Sequence, residues 1–544
     1  MRFLVTVFLF VSSFYGIRSQ NTAKPKLVVG IVVDQMRFDY LTRFGGRFGD
    51  EGFNRLLNDG FNCKNHHFNY MPTYTGPGHA SIYTGTTPEN HGIIANNWYD
   101  KFLDSKVYCV SDTSVTSLGT KSKKDRMSPK RMLATTFADA IRLHTQFQSK
   151  TIGISIKDRG AILPAGHTAN FAFWFHGKSE GNWVSSSYYA DTLPNWVTNF
   201  NNNQSVDKYL KTWKTLYPLN TYVASGKDDS LYEKAFVGEK SPTFPHELLK
   251  LMKINKGYDI LKTSPFGNTM VTDFAIETLI NENLGQDAHT DVLAISYSST
   301  DYIGHTFGVN SVELEDTYLR LDLELARLFK ELDNRVGAGN YTVFLTADHG
   351  VVQVPRLLQD HKIPAGYIDF VLLKAEVATF LRKTFKTDDL LANISSQQVF
   401  LNYEVIEKNN LELSVICKKL QHFLIQHPQM LHVFTREQLS SRNMTSLVGQ
   451  LVQNGFHQRR SGDIAFVLNP AIISGNANSN KGTTHGSPQA YDTHVPLLFY
   501  GNGIKQGTTY QKTQVTDIAP TISALLGIAL PNASTGDVLD FVID

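Results

Sequence analysis

The chain has 544 residues, of which 42% are hydrophobic and 11% aromatic, and this composition supports a large buried core and excludes an intrinsically disordered protein. Its 52 basic residues nearly balance its 50 acidic ones, so neither nucleic acid nor an anionic membrane surface is expected as a main partner. The length corresponds to three or four domains of about 150 residues each, or to one α/β core enlarged by insertions.

The first nineteen residues have the features of a secretory signal peptide. Met1 and Arg2 form a short basic start, residues 3–16 are mostly apolar, and residues 17–19 precede the expected cleavage point. The apolar run is shorter than the roughly 20 residues that cross a bilayer, and no later segment is long and apolar enough to do so. We therefore predict a signal peptide over residues 1–19 and a secreted or periplasmic protein over residues 20–544, without stable membrane insertion.

Four apolar, largely β-branched segments each end in a polar cluster. They cover residues 27–33, 151–156, 292–297 and 341–345, and runs that are apolar on both faces are typical of buried parallel strands. Amphipathic helices are predicted at 131–146, 269–283 and 312–332. The alternation predicts an α/β fold with a doubly wound, mostly parallel central sheet and helices on both faces, in which ligands bind beyond the carboxyl ends of the strands.

Two long segments are predicted to be cap inserts in this core. Residues from about 160 to 259 are rich in Trp, Tyr, Asn, Ser and Pro, contain a strand-like piece at 170–175 and carry no metal-type cluster. The second segment runs from about 355 to 475 and contains a helix-like piece at 411–427. Because no internal repeat or long linker separates them from the core, we predict one catalytic domain over residues 20–544 with two inserts.

Pairs of residues of the types that commonly bind metals, here Asp and His, follow two of the predicted strands. We call them metal-type residues. Asp301 and His305 are four residues apart, so a helical turn would point both side chains to one side, which suits two ligands of one metal. Asp348 and His349 are adjacent and precede Gly350, which permits a tight turn.

Two further residues complete a set of three Asp and three His. Asp34 ends the first predicted strand, and His485 lies in the segment Lys-Gly-Thr-Thr-His-Gly-Ser. Mixed imidazole and carboxylate ligands favour zinc over magnesium or calcium, which prefer oxygen ligands alone. Six protein ligands are too many for one tetrahedral zinc and about right for two.

Thr75 is the candidate nucleophile. It lies in Thr75-Gly-Pro-Gly-His79, where Pro77 suits the first position of a helix. A hydroxyl just before that helix faces its positive end, which favours an alkoxide or a bound phosphate. Taken alone, this pattern is more typical of a plain helix cap or turn. The assignment of Thr75 as nucleophile therefore depends on the metal-type residues elsewhere in the chain.

These motifs together resemble those of the alkaline phosphatase superfamily, in family order from residue 34 to about 521: Asp34, Thr75-Gly-Pro-Gly-His, Asp301-x3-His305, Asp348-His349-Gly350, His485-Gly and the segment 515–521. The resemblance implies two Zn²⁺ ions and a phosphothreonine intermediate on Thr75. One zinc, which by resemblance binds the attacking water of the second step, would be held by Asp301, His305 and His485. The other would be held by Asp34, Asp348, His349 and the Thr75 oxygen.

Four positions favour a phosphatase within this superfamily. Sulfatases of this fold have Cys or Ser in a Cys/Ser-x-Pro-x-Arg pattern, which is absent at Thr75. Lys157 and Arg159 follow a predicted strand, and residues i and i+2 of an extended segment can reach one phosphate together. This pair is similar to that of the phosphate-irrepressible bacterial alkaline phosphatases with a Thr nucleophile, and Asn96 matches their amide donor to a phosphate oxygen.

We therefore predict a phosphate monoester hydrolase whose partners are small phosphorylated metabolites, with Thr75, Asn96, Lys157 and Arg159 in the catalytic and substrate-binding roles. A nucleotide-type phosphodiesterase of the same superfamily is the alternative, since both families use Thr. A monoester brings a dianion that needs more positive partners, whereas a diester carries one charge fewer. A non-catalytic binding protein on this fold is the competing class, and the nucleophile and ligands that it would have lost are all present.

The three cysteines, Cys63, Cys109 and Cys417, are not spaced as a CxxC zinc or redox motif. In an oxidising compartment they allow one disulfide with one thiol left over, or three buried free thiols. We predict a bridge between Cys63 and Cys109, because these residues bracket Thr75 and Asn96 in sequence and a bridge would join the two segments.

Overall fold

The computed structural model describes residues 24–203, 206–441, 443–475 and 480–544, so the predicted signal peptide lies outside the described residues. A ten-stranded, mostly parallel sheet forms the centre of the molecule, which confirms the predicted fold class. From one edge to the other, its strands are Gly507–Gln514, Phe61–His67, Leu497–Gly501, Tyr341–Thr346, Leu27–Val33, Asp291–Tyr297, Thr151–Ser155, Phe171–His176, Asn182–Ser186 and Ser117–Leu118.

The central parallel strands are aligned at their carboxyl ends. Leu27–Val33 is buried along its whole length and pairs in parallel with Asp291–Tyr297, where Val33 lies opposite Tyr297. On its other side it pairs in parallel with Tyr341–Thr346. A strand that is covered on both faces needs apolar residues at nearly every position, which is why these segments show no polar alternation. The residues that follow the three strands therefore meet at one edge of the sheet.

Helices cover the sheet and carry parts of the site. The longer ones are Thr75–Thr84, Phe137–His144, Asp158–Ala165, Asn195–Asn203, Pro265–Asn281, Ser299–Phe307, Val312–Leu332, Phe370–Phe385, Leu413–Ile425, Leu447–Asn454 and Ile518–Leu526. Val312–Leu332 has the predicted bounds. The helix predicted at 131–146 begins only at Phe137, because Thr136 and Asp139 form a capping box that fixes its start. Within the described residues, no helix combines the length and apolar character needed to cross a membrane.

The segment predicted to leave the core at about residue 160 continues the central sheet instead. Phe171–His176 pairs in parallel with Thr151–Ser155, and Asn182–Ser186 pairs antiparallel with it on the other side. Five of the six residues in Phe171–His176 are buried, so its aromatic side chains serve the core of the sheet. Beyond Ser186 the chain forms short helices and a two-stranded ladder of Thr212–Trp213 with His246–Glu247.

The second predicted insert has a sheet and a core of its own. Its antiparallel strands are, in spatial order, Leu391–Ser395, Gln398–Leu401, Ile464–Leu468 and Met430–Thr435. The helices Phe370–Phe385 and Leu413–Ile425 contribute Val377 and Ile416, and the strand Ile464–Leu468 contributes Phe466, to a hydrophobic cluster separate from the main core. The division into one catalytic domain with two inserts stays a prediction.

The predicted disulfide is absent, because all three cysteines are free and buried. Cys63 lies on the strand Phe61–His67 within the main hydrophobic core, whereas Cys109 packs in a different hydrophobic cluster. Burial raises the pKa of the Cys63, Cys109 and Cys417 thiols to about 12, so each behaves as a small apolar side chain. The order of residues along the chain was a poor guide to their distance in space.

Candidate active site

The metal-type residues converge at the carboxyl edge of the central sheet. Asp34 directly follows Leu27–Val33, and Asp348 lies two residues beyond Tyr341–Thr346. Asp301 and His305 lie on the helix Ser299–Phe307, which follows Asp291–Tyr297. His485 comes from a distant loop.

Asp301, His305 and His485 form one group that could hold a metal ion, called the first group below. The helix Ser299–Phe307 places Asp301 and His305 one turn apart, as predicted, with His305 Nε2 at 3.1 Å from Asp301 Oδ1. His485 Nε2 lies 3.6 Å from the same oxygen. The pKa of Asp301 is well below its usual range despite burial, because His305 and Lys157 lie beside it.

The second group surrounds His349 Nε2. This nitrogen lies 3.6 Å from Asp34 Oδ1 and 3.5 Å from Asp348 Oδ2. The three residues are fully buried, and these three atoms have no hydrogen-bond partner among the described residues. Ligand atoms of Asp34, Asp301 and His349 also lie within 4.8 Å of one another, so Asp301 is within reach of both groups. Converging buried polar atoms without partners fit a bound cation, since leaving each one unsatisfied costs about 1–3 kcal/mol.

Burial and neighbouring carboxylates change the pKa values of the aspartates in the second group. Burial raises the pKa of Asp34 to about 6, and the neighbouring Asp348 carboxylate adds to that effect. Burial raises the pKa of Asp348 to about 6 as well. A cation that bound both carboxylates would favour their ionised forms. The donor set of two carboxylates and one imidazole is therefore chemically suited to a divalent transition metal such as zinc.

Hydrogen bonds to the main chain orient all three histidines. The Nδ1 atoms of His305, His349 and His485 lie 2.7, 2.9 and 2.7 Å from carbonyl oxygens of Thr483, Gly350 and Thr73, respectively. A carbonyl oxygen can only accept, so each Nδ1 carries the hydrogen and each Nε2 presents a lone pair. These Nε2 atoms are the ones that face the aspartates, as metal-binding histidines require.

Lys157 lies between the two groups. Its Nζ is 2.7 Å from Asp34 Oδ2 and donates to Asp301 Oδ2 at 2.5 Å. The strand ends at Ser155, Lys157 is the N-cap of the helix Asp158–Ala165, and Arg159 lies in its first turn. The predicted extended Lys-x-Arg segment is therefore wrong in its local structure. A bend at the helix start sends the two cations to different parts of the same site.

Arg159 points to the candidate nucleophile. Its Nη2 donates to Thr75 Oγ1 at 3.4 Å. Thr75 is buried and is the first residue of the helix Thr75–Thr84, two positions earlier than Pro77, where the helix was predicted to begin. This helix packs closely on the second group, since a Cβ atom built at Gly78 would lie 2.3 Å from the carbonyl oxygen of Asp348. The Thr75 hydroxyl therefore lies at a helix N-terminus and beside a guanidinium, on a helix that packs against the second group.

Asn96 is held beside Thr75 by the backbone. Its Oδ1 accepts a hydrogen bond from the Gly76 amide at 2.7 Å. This bond fixes the orientation of the side-chain amide and leaves the NH₂ group as the part that can donate to a ligand.

Sequence reasoning missed two residues that hold the site together. Gln35 donates from its backbone amide to Asp348 Oδ1 at 3.1 Å and from Nε2 to Asp301 Oδ1 at 2.6 Å. Tyr108 accepts a hydrogen bond from Arg159 Nη1 at 3.0 Å and donates to the Asp158 carboxylate. In the sequence, Gln35 could have been noticed because it directly follows Asp34, whereas no comparable signal pointed to Tyr108.

Comparison with known proteins identifies the family of this chain. Residues 28–491 match the family model described as type I phosphodiesterase / nucleotide pyrophosphatase. The chain therefore belongs to that family, which is part of the alkaline phosphatase superfamily.

Several relatives match this chain over nearly its whole length. The chain is 42% identical to "Alkaline phosphatase PafA" of Elizabethkingia meningoseptica over 98% of both chains. It is 43% identical to "Alkaline phosphatase PhoV" of Synechococcus elongatus over 96% of this chain and 93% of the relative. It is 45% identical to a Myroides odoratus protein named "Calcium-transporting ATPase" over 99% of both chains. The crystal structure of wild-type PafA superposes with a TM-score of 0.92, covering 96% of this chain and 99% of PafA.

Proposed function

We propose that this protein is an alkaline phosphatase that hydrolyses phosphate monoesters through a phosphothreonine intermediate on Thr75. The observation that carries the proposal is the position of Thr75 Oγ1, which lies 3.4 Å from Arg159 Nη2 at a helix N-terminus packed against Asp348. The full-length likeness to two proteins named alkaline phosphatase supports it.

Two Zn²⁺ ions are proposed as cofactors. Asp301, His305 and His485 would hold one, and Asp34, Asp348, His349 and the Thr75 oxygen would hold the other. The unpartnered Asp34 Oδ1, Asp348 Oδ2 and His349 Nε2 support the second site. Bound zinc would lower the pKa of an oxygen nucleophile and stabilise negative charge on the attacking and leaving oxygens.

The residues of the chain suggest a two-step displacement. The Thr75 oxygen attacks phosphorus, the bond from phosphorus to the ester oxygen breaks, and the alcohol leaves with a proton. Water then attacks from the side that the alcohol vacated, which releases phosphate and returns a proton to Thr75. Arg159 and the Asn96 amide would donate to the phosphoryl oxygens, and Lys157 would add a fixed positive charge beside them.

The number of cations favours a monoester over a diester. A monoester phosphoryl group is a dianion, and Lys157 and Arg159 lie at the same site as the proposed metals. A diester carries one charge less and a second substituent. The relative named an ATPase fits the same chemistry, because the terminal phosphate of a nucleotide is also a dianion.

Comparing two substrates with the same leaving group tests the proposal. The zinc-loaded enzyme should hydrolyse an aryl phosphate with a kcat/KM at least about a hundredfold above that for the matching alkyl aryl phosphate diester. A higher kcat/KM for the diester would instead favour the phosphodiesterase alternative, and no turnover of either ester would favour a binding protein.

Removing a metal ligand should lower both zinc content and rate. Asp348→Ala and His305→Ala each leave one proposed site with too few carboxylate or imidazole ligands. We expect each variant to lose close to one zinc per chain by elemental analysis and most of its monoester turnover. His144→Ala, which removes a histidine on the helix Phe137–His144, is a control that should retain both. Normal zinc content and activity in Asp348→Ala and His305→Ala would contradict the ligand assignment.

Tyr108 is proposed to position Arg159. Tyr108→Phe removes the hydroxyl that accepts from Arg159 Nη1, and a hydrogen bond to a charged group contributes about 1.5–3 kcal/mol. We expect kcat/KM for an aryl phosphate to fall about tenfold, with a smaller loss for the matching diester and unchanged zinc content. Equal losses on both esters would indicate a general structural role for Tyr108.

The export signal is a separate proposal. Residues 1–19 would be removed on secretion, leaving a secreted or periplasmic enzyme that acts on small phosphorylated metabolites outside the cytoplasm.

A further inference from the structure

A cleft that is lined in part by His305 also carries the side chains of Lys234 and Lys481 and is therefore positively charged. It encloses about 690 Å³, and the described residues that line it include Lys234, Lys481, Thr483 and Thr484 but no carboxylate. Lys234 and Lys481 are both solvent-exposed.

Lys234 is fixed relative to His305. Its backbone amide donates to the carbonyl oxygen of Thr306 at 3.0 Å, and its Nζ donates to the carbonyl oxygen of His305 at 3.4 Å. Gly482 makes this close packing possible, because a Cβ atom there would lie 2.3 Å from the His305 oxygen and 2.8 Å from Lys234 Nζ. Lys481 directly precedes Gly482, so both ammonium groups belong to the rim of one cleft.

This cleft adjoins the first group of metal-type residues, because His305 belongs to that group and lines the cleft. The helix that begins at Thr75 packs against Asp348, in the second group of metal-type residues. In an in-line displacement the leaving oxygen departs opposite the nucleophile, and the two metals of such sites stabilise the two oxygens separately. The first group, which includes His305, would then be on the leaving-group side. His305 and Thr483, whose carbonyl oxygen accepts from His305 Nδ1, both line the cleft.

We propose that Lys234 and Lys481 select phosphate monoesters whose leaving group carries its own negative charge, such as a carboxylate or a second phosphate. The inference rests on the proposed monoesterase function and adds a substrate class to it. The two lysines attract the anionic end of the alcohol, while Thr75 and Arg159 act on the phosphoryl group that is transferred. Because both ammonium groups are partly solvated, each is expected to change the rate by only a few fold.

Two substrates of nearly equal shape isolate this effect. 4-Carboxyphenyl phosphate has an anionic leaving group, and 4-carbamoylphenyl phosphate is its neutral counterpart. We expect the zinc-loaded wild-type enzyme to prefer the carboxylate, with a kcat/KM ratio of about three to twenty. The ratio should fall toward one at high ionic strength, since salt screens exposed charges.

Variants of the two lysines complete the test. Lys234→Ala/Lys481→Ala should bring the ratio close to one, Lys234→Arg/Lys481→Arg should retain it, and Lys374→Ala/Lys418→Ala, which removes exposed lysines of the second insert, should also retain it. If the wild-type enzyme hydrolyses both esters and the ratio is the same in the double alanine variant, the inference is wrong and the monoesterase function stands. If the wild-type enzyme hydrolyses neither ester, the proposed function fails and the inference fails with it.

Discussion

Thr75→Ala is expected to lower the turnover of phosphate monoesters by at least about a thousandfold while two zinc ions stay bound. The substitution removes the only oxygen that the proposed first step uses as nucleophile, so no phosphothreonine can form. Metal content should persist, because Thr75 is one of seven proposed ligands and the others come from separate elements of the fold. Steady-state kinetics and elemental analysis on the same preparation measure both quantities.

Thr75→Ser is the matched control for this prediction. A serine hydroxyl in the same place can form the same kind of ester with phosphate, so this variant should keep substantial activity. A Thr75→Ala enzyme that works at near wild-type rates with its zinc intact would show that Thr75 is not the nucleophile. The Arg159 contact to Thr75 Oγ1 would then be structural.

Lys157→Ala/Arg159→Ala is expected to lower kcat/KM for a monoester by about a thousandfold or more. A hydrogen bond to a charged group contributes about 1.5–3 kcal/mol, which is roughly tenfold to more than a hundredfold in rate for each residue. A diester should lose much less, because one of its phosphoryl oxygens carries a substituent in place of charge. The ratio of monoester to diester kcat/KM should therefore shift strongly toward the diester.

The structure adds a necessary control to this experiment. Lys157 Nζ contacts both Asp34 and Asp301, so its removal can also change metal binding. Zinc content must therefore be measured in the double variant and in each single variant. Equal losses on monoester and diester with full zinc content would mean that the pair is structural, and the diesterase alternative would gain support.

The central sheet could be predicted because its signal is local. Leu27–Val33 and Asp291–Tyr297 are buried on both faces, so their apolar runs were visible in the sequence, and parallel pairing places the residues after them at one edge. The helical spacing of Asp301 and His305 was likewise a local signal. By contrast, the aromatic residues of Phe171–His176 looked like a cap, because composition alone does not distinguish an insert from a buried sheet strand.

The parts of the site that depend on distant contacts could not be predicted. Tyr108 ends the short strand Ser105–Tyr108 and meets Arg159 from 51 residues away. Gln35 reaches Asp301 and Asp348 from a left-handed backbone conformation, with φ of 66°, which the sequence does not reveal for a residue other than glycine. Local patterns identify an element and its end, whereas these contacts depend on how the elements pack.

The most direct test of a two-zinc phosphomonoesterase is a zinc titration of the metal-free protein. Turnover of a simple aryl phosphate is followed as zinc is added, and bound zinc is measured at each step. The proposed site predicts negligible turnover without metal and full turnover when two zinc ions per chain are bound. Full turnover by the metal-free chain, or a plateau at one bound zinc ion per chain, would contradict it.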